Sequence, residues 1–227
     1  MKTRFAIIGD QRLPPAPKLR GLCPLCGSEL LAKCGAVKAW HWAHRAQLGC
    51  DPWWENETEW HRNWKNQFAA EWQEIVMFNE ATGEKHIADV KTPHGMVIEF
   101  QHSVMPPGEL KAREAFYRNM VWIVDGTRGP LDRDYFNISR TGSEISSNPI
   151  AYGLHWLGKS RLFANWSAAT SHVYIDFGEE YVWRLIFFDE KTKKGAVGPV
   201  FRKTLIEDLS SGSPIRIMFR NPEGGAG

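Results

Sequence analysis

All four cysteines of this 227-residue chain, Cys23, Cys26, Cys34 and Cys50, lie in one window ahead of residue 51. Cys23-Pro24-Leu25-Cys26-Gly27 is a C-x-x-C-G knuckle: two thiolates share a turn, and the glycine lets the chain reverse. A knuckle needs a second ligand group. His41-Trp42-Ala43-His44 and then Cys50 follow at a suitable distance. Residues 29–33 and 37–40 are expected to pair as a hairpin around Cys34-Gly35, which returns that second group to the knuckle. His41 and His44 are an odd step apart, so along one strand they face opposite ways. Two ligand sets therefore stand. One is Cys23, Cys26, His41 and His44, with the strand ending between the histidines. The other is Cys23, Cys26, His44 and Cys50, favoured because soft thiolates suit Zn²⁺. Cys34 is expected to be a buried thiol. A closed four-coordinate zinc is structural and does no chemistry of its own.

The rest of the composition bounds the class. The chain is 43% hydrophobic and 24% charged with a formal net charge of +2, as in a soluble globular protein. Near-neutrality neither demands nor excludes a polyanion partner. The apolar runs are as short as Val121-Trp122-Ile123-Val124, so no membrane span is expected. The N-terminal apolar stretch is too short for a secretory signal, which points to the cytoplasm. The eleven tryptophans are read as core first and as base-stacking surfaces second.

Three segments are expected: an N-terminal strand and zinc ribbon over 1–52, a central core over 53–126, and a mostly β region over 127–227. Residues 1–20 read as a short strand and a Pro-rich lead, and residues 53–80 carry helical spacing. Residues 84–104 read as a hairpin turning at Thr92-Pro93-His94-Gly95. A helix is expected over 109–120 and a strand over 121–124. Residues 127–150 read as loop, 173–177 and 181–188 as strands around a turn at Gly178, and 204–209 as a short helix. The tail, 222–227, is expected to be flexible.

The chemistry concentrates in the central segment. Asp89 ends the first hairpin strand. Glu99 and Gln101 lie two apart on the second and so share a face. A tight hairpin is expected to bring Asp89 beside Glu99, a hard oxygen site suited to Mg²⁺ or Mn²⁺. Such an ion serves phosphodiester hydrolysis, and Gln101 positions a water where this chemistry more often uses lysine. Upstream, Glu57, His61 and Lys65 stand at i, i+4 and i+8, one stripe of a helix. The plain alternative is a solvated helix face. Helix, D and E-x-Q hairpin, helix and strand is the core of the PD-(D/E)xK nucleases. The expected fold is therefore α+β, a restriction-endonuclease-like αβββαβ core between a small zinc ribbon and a mostly β C-terminal element. Arg113 and Tyr117, i and i+4 on the next helix, are expected to touch the nucleic-acid backbone.

The motifs in order are Cys23-Pro24-Leu25-Cys26-Gly27, His41-Trp42-Ala43-His44, Glu57-Thr58-Glu59-Trp60-His61 with Lys65, Ala88-Asp89-Val90, and Ile98-Glu99-Phe100-Gln101-His102-Ser103. This succession resembles the competence protein CoiA family over roughly residues 20–125, with Trp42 in place of the usual Phe and Thr58 in place of Ser. The resemblance implies a metal-dependent nuclease that processes DNA, including single-stranded or branched DNA, for recombination or transformation. Recombination proteins are the implied partners. It also implies that E-x-Q is the normal pattern, and it supports Glu57, His61, Lys65, Asp89, Glu99 and Gln101 as the site. The competing function is a non-catalytic nucleic-acid-binding or adaptor protein of a recombination complex.

Overall fold

Before residue 45 the chain is punctuated by Pro14, Pro15, Pro17, Gly9, Gly21 and Gly27, so its strands are short. The computed structural model describes residues 1–45, 49–140, 142 and 144–218. The expected flexible tail, 222–227, lies outside the described residues. The fold is α+β with mixed sheets and divides into two compact units, Met1–Lys91 and Thr92–Gly227.

The first unit opens with β1 (Lys2–Thr3), β2 (Ala6–Ile8), β3 (Gln11–Leu13), β4 (Arg20–Leu22), β5 (Glu29–Lys33) and β6 (His41–His44). These form an antiparallel sheet in the order β1-β6-β5-β4-β2-β3. The single strand expected ahead of the Pro-rich lead is thus three short ones, β1 to β3, with the prolines between β3 and β4. β5 pairs with 41–44 and not with 37–40, because Leu30 and Trp42 must reach the same buried cluster as Ala6, Cys23 and Leu25. Residues 34–40 form the connection, and Cys34 in it is half-buried, not buried.

α1 (Glu59–Lys65) follows, capped by Thr58, whose side chain accepts from the His61 amide at 3.3 Å. The helical spacing expected through residue 80 ends there. Gln73–Phe78 is a strand, β7, paired antiparallel with β8 (Lys85–Lys91). Its Ile75-Val76 pair favours extended backbone, and the cross-strand partners override the helical period.

The second unit begins with a reversal. The Thr92 amide donates to the Met96 carbonyl at 2.9 Å, and Gly95 adopts φ +81, a conformation that glycine takes without strain. Then come β9 (Val97–Gln101), α2 (Pro107–Tyr117), β10 (Met120–Asp125), α3 (Asp132–Ser139), β11 (Glu144–Ser147), β12 (Ile150–His155), β13 (His172–Asp176), β14 (Tyr181–Asp189), β15 (Lys194–Phe201) and α4 (Arg202–Ser211). The strands of this unit follow the order β11-β12-β15-β14-β13-β10-β9. β9, β10 and β13 run parallel and the remaining pairs antiparallel. β10 is buried along its whole length, as an interior parallel strand must be. α2 starts two residues earlier than expected, with Pro107 in its first turn, and stops at Arg118, whose φ is +61. The segment 127–150 is not all loop: it contains α3 and β11. α3 forms because Phe136 is buried against Phe163, Phe177 and Trp183. The strand pair around Gly178 is present as β13 and β14, and the short helix near the C-terminus as α4.

Most tryptophans are core: Trp42, Trp64, Trp122, Trp156, Trp166 and Trp183 are each 5% exposed or less. Glu114 of α2 ties the 164–171 segment to the sheet. It accepts from the Thr170 amide at 2.9 Å, the Thr170 hydroxyl at 2.7 Å, the Ser171 amide at 2.9 Å and the Trp122 indole at 3.2 Å. Burial would raise its pKa, but these donors hold it below the ordinary value.

Glu114→Ala is therefore expected to lower stability by about 2 kcal/mol, since it orphans the buried Trp122 indole and removes the charged acceptor of the Thr170 and Ser171 amides. Urea titration measures that loss. A depressed folded-state pKa contributes stability above the unfolded value of about 4.3 and loses it as pH falls through the folded value. The gap between parent and variant should accordingly be full at neutral pH and shrink on acidification.

Candidate functional site

The knuckle is built by its own backbone. The Gly27 amide donates to the Cys23 carbonyl at 2.9 Å, the Cys23 amide to Ser28 at 2.9 Å, and Gly27 takes φ +70. β6 delivers His44 opposite Leu30, and the chain returns at Cys50. Cys50 is positioned by its neighbour Asp51, which accepts from the Ile87 amide of β8 at 2.9 Å and pairs with His86 at 2.8 Å. One ligand atom from each of Cys23, Cys26, His44 and Cys50 lies within 4.8 Å of the others. Cys23 Sγ and Cys50 Sγ are 3.6 Å apart, and Cys26 Sγ and His44 Nε2 are 3.4 Å apart. Tetrahedral Zn²⁺ with Zn–S near 2.3 Å and Zn–N near 2.0 Å separates such pairs by about 3.8 and about 3.5 Å, so the donor set fits a structural metal such as zinc. His44 Nδ1 lies 3.2 Å from the Met1 carbonyl, an acceptor that places the proton on Nδ1 and leaves Nε2 for the metal. Of the two ligand sets, the structure assembles the one containing Cys50. His41 points elsewhere, its Nδ1 2.9 Å from the Ala39 carbonyl.

The electrostatics agree. Burial raises the Cys23 thiol, and burial together with the adjoining sulfurs raises Cys50. Burial also opposes ionisation of Cys26, but hydrogen bonds from Ser28 and His44 outweigh it and bring this thiol to about 6. Three crowded sulfurs resist ionising together, and a central dication removes that penalty.

The second site-forming cluster of this unit surrounds Lys65, which is 5% exposed. Its Nζ stands 3.0 Å from Asp89 Oδ1, 3.3 Å from Glu74 Oε1 and 3.4 Å from Glu57 Oε1. His61 Nε2 lies 3.4 Å from Asp89 Oδ2. Burial would lower the Lys65 pKa, but Asp89, Glu74 and Glu57 raise it well above the ordinary value, so the ammonium is permanently charged. Glu57 is held below the ordinary carboxylate value, its burial outweighed by Lys65, Arg4 and Arg62. Glu57, His61, Lys65 and Asp89 thus come together. Glu57, however, precedes the Thr58 cap and is not on the helical stripe. Two members escaped the sequence. Glu74 lies opposite Asp89 by the register on either side (Gln73 to Val90, Ile75 to Ala88) and has φ +50. Arg4 donates its amide to Glu74 at 2.7 Å and sets its guanidinium 3.6 Å from Glu57. The one signal for Glu74 was an isolated acid in an apolar strand.

In the second unit, Glu99 and Gln101 on β9 are 3% and 1% exposed. The Arg113 guanidinium donates to Glu99 Oε2 at 3.1 Å and to Glu109 Oε1 at 3.0 Å. Gln101 Nε2 donates to the Ser103 carbonyl at 3.1 Å. Arg113 and Tyr117, expected at a nucleic-acid surface, are both buried: Arg113 neutralises Glu99, and Tyr117 is 6% exposed. Sequence reasoning also passed over a histidine–aspartate pair. His102 Nδ1 lies 2.7 Å from Asp125 Oδ2, and Asp125 Oδ1 accepts from the Thr127 amide at 2.8 Å and its hydroxyl at 2.7 Å. The signal was present, since Asp125 ends a buried strand.

The cluster geometry sets two expectations. Cys26→Ser and His44→Ala should each reduce bound zinc from one equivalent to well below one and destabilise the N-terminal unit, whereas His41→Ala should retain the full equivalent; metal analysis of protein purified without chelators decides. Lys65→Met leaves three carboxylates facing one another and is expected to cost about 3–5 kcal/mol, the scale for breaking a buried ion pair, as read by thermal and urea denaturation.

Residues 19–52 match the sequence profile of the N-terminal domain of competence protein CoiA. Competence protein CoiA of Bacillus subtilis (strain 168) is 36% identical over 63 residues, which is 28% of this chain and 17% of that relative. No solved structure matches the chain. The profile match holds the whole Cys23, Cys26, His44 and Cys50 set, so over residues 19–52 the chain is similar to the N-terminal domain of competence protein CoiA, and the aligned segment spans under a fifth of that relative's length.

Proposed function

We propose that this chain is a metal-dependent nuclease of the PD-(D/E)xK type that hydrolyses DNA for recombination or transformation. The observation that carries the reading is the convergence of His61 and Lys65 from α1 on Asp89 of β8. Buried ionisable groups gathered in this way stabilise a fold poorly and mark functional sites. The chain order α1, β7, β8, β9, α2, β10 supports it further, being the αβββαβ succession of restriction-endonuclease-like cores. In this reading Asp89 and Glu99 hold Mg²⁺ or Mn²⁺, for which carboxylate oxygens are the right hard donors. The ion neutralises the phosphate and lowers the pKa of a bound water. Gln101 orients the attacking water through its amide, and Lys65 and His61 meet the charge on the phosphate. Lys65 and Arg113 now neutralise the two carboxylates, so the ion competes with resident side-chain cations and binds weakly.

That same pairing favours a second reading, in which the chain only binds nucleic acid or recruits recombination proteins. Single-turnover cleavage of single-stranded, duplex and branched DNA with Mg²⁺ or Mn²⁺ separates the two. Asp89→Asn and Glu99→Gln should each abolish cleavage with DNA binding largely intact, and melting curves confirm that the variants fold. Gln101→Ala removes one positioning hydrogen bond, worth about 1.4 kcal/mol or about tenfold in rate. Gln101→Lys should retain activity. If Asp89→Asn cuts as fast as the parent, the assignment of the metal is wrong. If the parent cuts nothing with any divalent ion, the binding reading stands in its place.

A further inference from the structure

The outward face of the β5–β6 hairpin has no role in the chemistry above. Trp42 and His44 point to the buried cluster and the metal ligands, so alternation sends His41 and Ala43 the other way. Lys33 pairs with His41 across the two strands and shares that outward face. With the 34–40 connection they enclose a concavity of about 550 Å³, lined by Lys33, Cys34, Val37, Lys38, His41 and Ala43 among others. That volume falls within the range of about 300–1,000 Å³ usual for small-ligand sites. Its character is cationic and apolar. No carboxylate lines it, and neither Lys33 nor Lys38 has an ion-pair partner among the described residues. The nearby acid on β5, Glu29, is already held by Arg20 at 2.9 Å and Arg45 at 3.0 Å. Trp40, which lies between Lys38 and His41 in the chain, is 53% exposed, and Val37 in the lining is 96% exposed.

Free cations next to an exposed indole are the two elements that hold single-stranded nucleic acid: phosphates meet the lysines, and an unpaired base stacks on the aromatic face. We propose that this face of the metal ribbon grips single-stranded nucleic acid, with Lys33, Lys38 and His41 on the phosphates, Trp40 stacking a base and the concavity receiving a neighbouring nucleotide. A duplex hides its base faces and would use only the lysines. The proposal rests on the nucleic-acid reading but not on cleavage. It makes the ribbon the element that presents a single strand to the rest of the chain.

The test uses the full, zinc-loaded chain and a fluorescent oligo(dT) without added Mg²⁺ or Mn²⁺, so that binding is read apart from hydrolysis. Trp40→Ala should weaken binding about tenfold, the scale of one lost stacking contact. Lys33→Gln with Lys38→Gln should reduce the slope of log affinity against log salt by about 1.4, two phosphate contacts on a single strand. Zinc content and melting temperature should match the parent, because these side chains lie outside the metal cluster. Cys34 gives a direct readout: it lines the concavity and is outside the ligand set, so oligo(dT) should slow its alkylation, mapped by mass spectrometry. Unchanged affinity and salt slope in these variants, or Cys34 alkylation unaffected by saturating oligo(dT), overturns the proposal. Equal affinity for duplex and single strand, both lost together in the lysine variant and unaffected in Trp40→Ala, also overturns it. Oligo(dT) binding that fails in these variants while the parent cleaves nothing supports the grip and removes only the nuclease reading.

Discussion

A buried ammonium organises the site-bearing half of the N-terminal unit. Lys65 draws together Glu57 from the approach to α1, Glu74 from β7 and Asp89 from β8. Glu74 and Asp89 are cross-strand neighbours, and like charges directly opposite one another destabilise a hairpin. The cation between them turns a repulsion into a bridge, and so allows two carboxylates to sit in a largely buried strand pair. Glu74 accepts a left-handed backbone, φ +50, to make that contact. Strain of this kind persists only where surrounding interactions over-determine the conformation. Here the Arg4 amide, Lys65 and the pairing on both sides of Glu74 do so.

The metal cluster organises the other half by the opposite electrostatics. Cys23 and Cys50 resist ionisation, a cost that a central dication would remove, whereas the Lys65 site is neutralised by side chains already present. One unit thus holds a set of soft donors shaped for a metal and a set of hard donors occupied by organic cations. The first set is closed, with four ligands and an oriented imidazole. The second is mobile in charge, since an ammonium on a flexible stem can be displaced where a backbone group cannot. That difference is why a structural role suits the cysteines.

In the second unit the E-x-Q strand is buried on both faces, and its acid is matched by Arg113. The helix spacing that suggested a surface for Arg113 and Tyr117 was sound as periodicity, but it could not say which side of α2 the sheet would take. The buried indole of Trp122 and the carboxylate of Glu114 decide that side, because they bind the helix and the 164–171 segment to β10. The His102–Asp125 pair is likewise a product of packing. β9 and β10 are parallel and end side by side, a relation between strands far apart in the chain that no local pattern expresses.

The sequence by itself determined the local chemistry: the C-x-x-C-G turn, the odd spacing of His41 and His44, the i,i+4 pair of His61 and Lys65, and the strand period that puts Glu99 and Gln101 on one face. Each is set by backbone geometry over a few residues. Tertiary structure alone decided the partners. It shifted the pairing of β5 from 37–40 to 41–44, because Trp42 had to be buried with Leu30. It turned residues 73–78 from helical spacing into β7, because β8 offered a complete ladder. It brought Cys50 to the metal ligands through Asp51, anchored on β8 by the Ile87 amide and His86. It also placed Glu74 and Arg4 around Lys65. These choices depend on which distant groups must be desolvated or neutralised together, and that cost is defined only once the chain has folded.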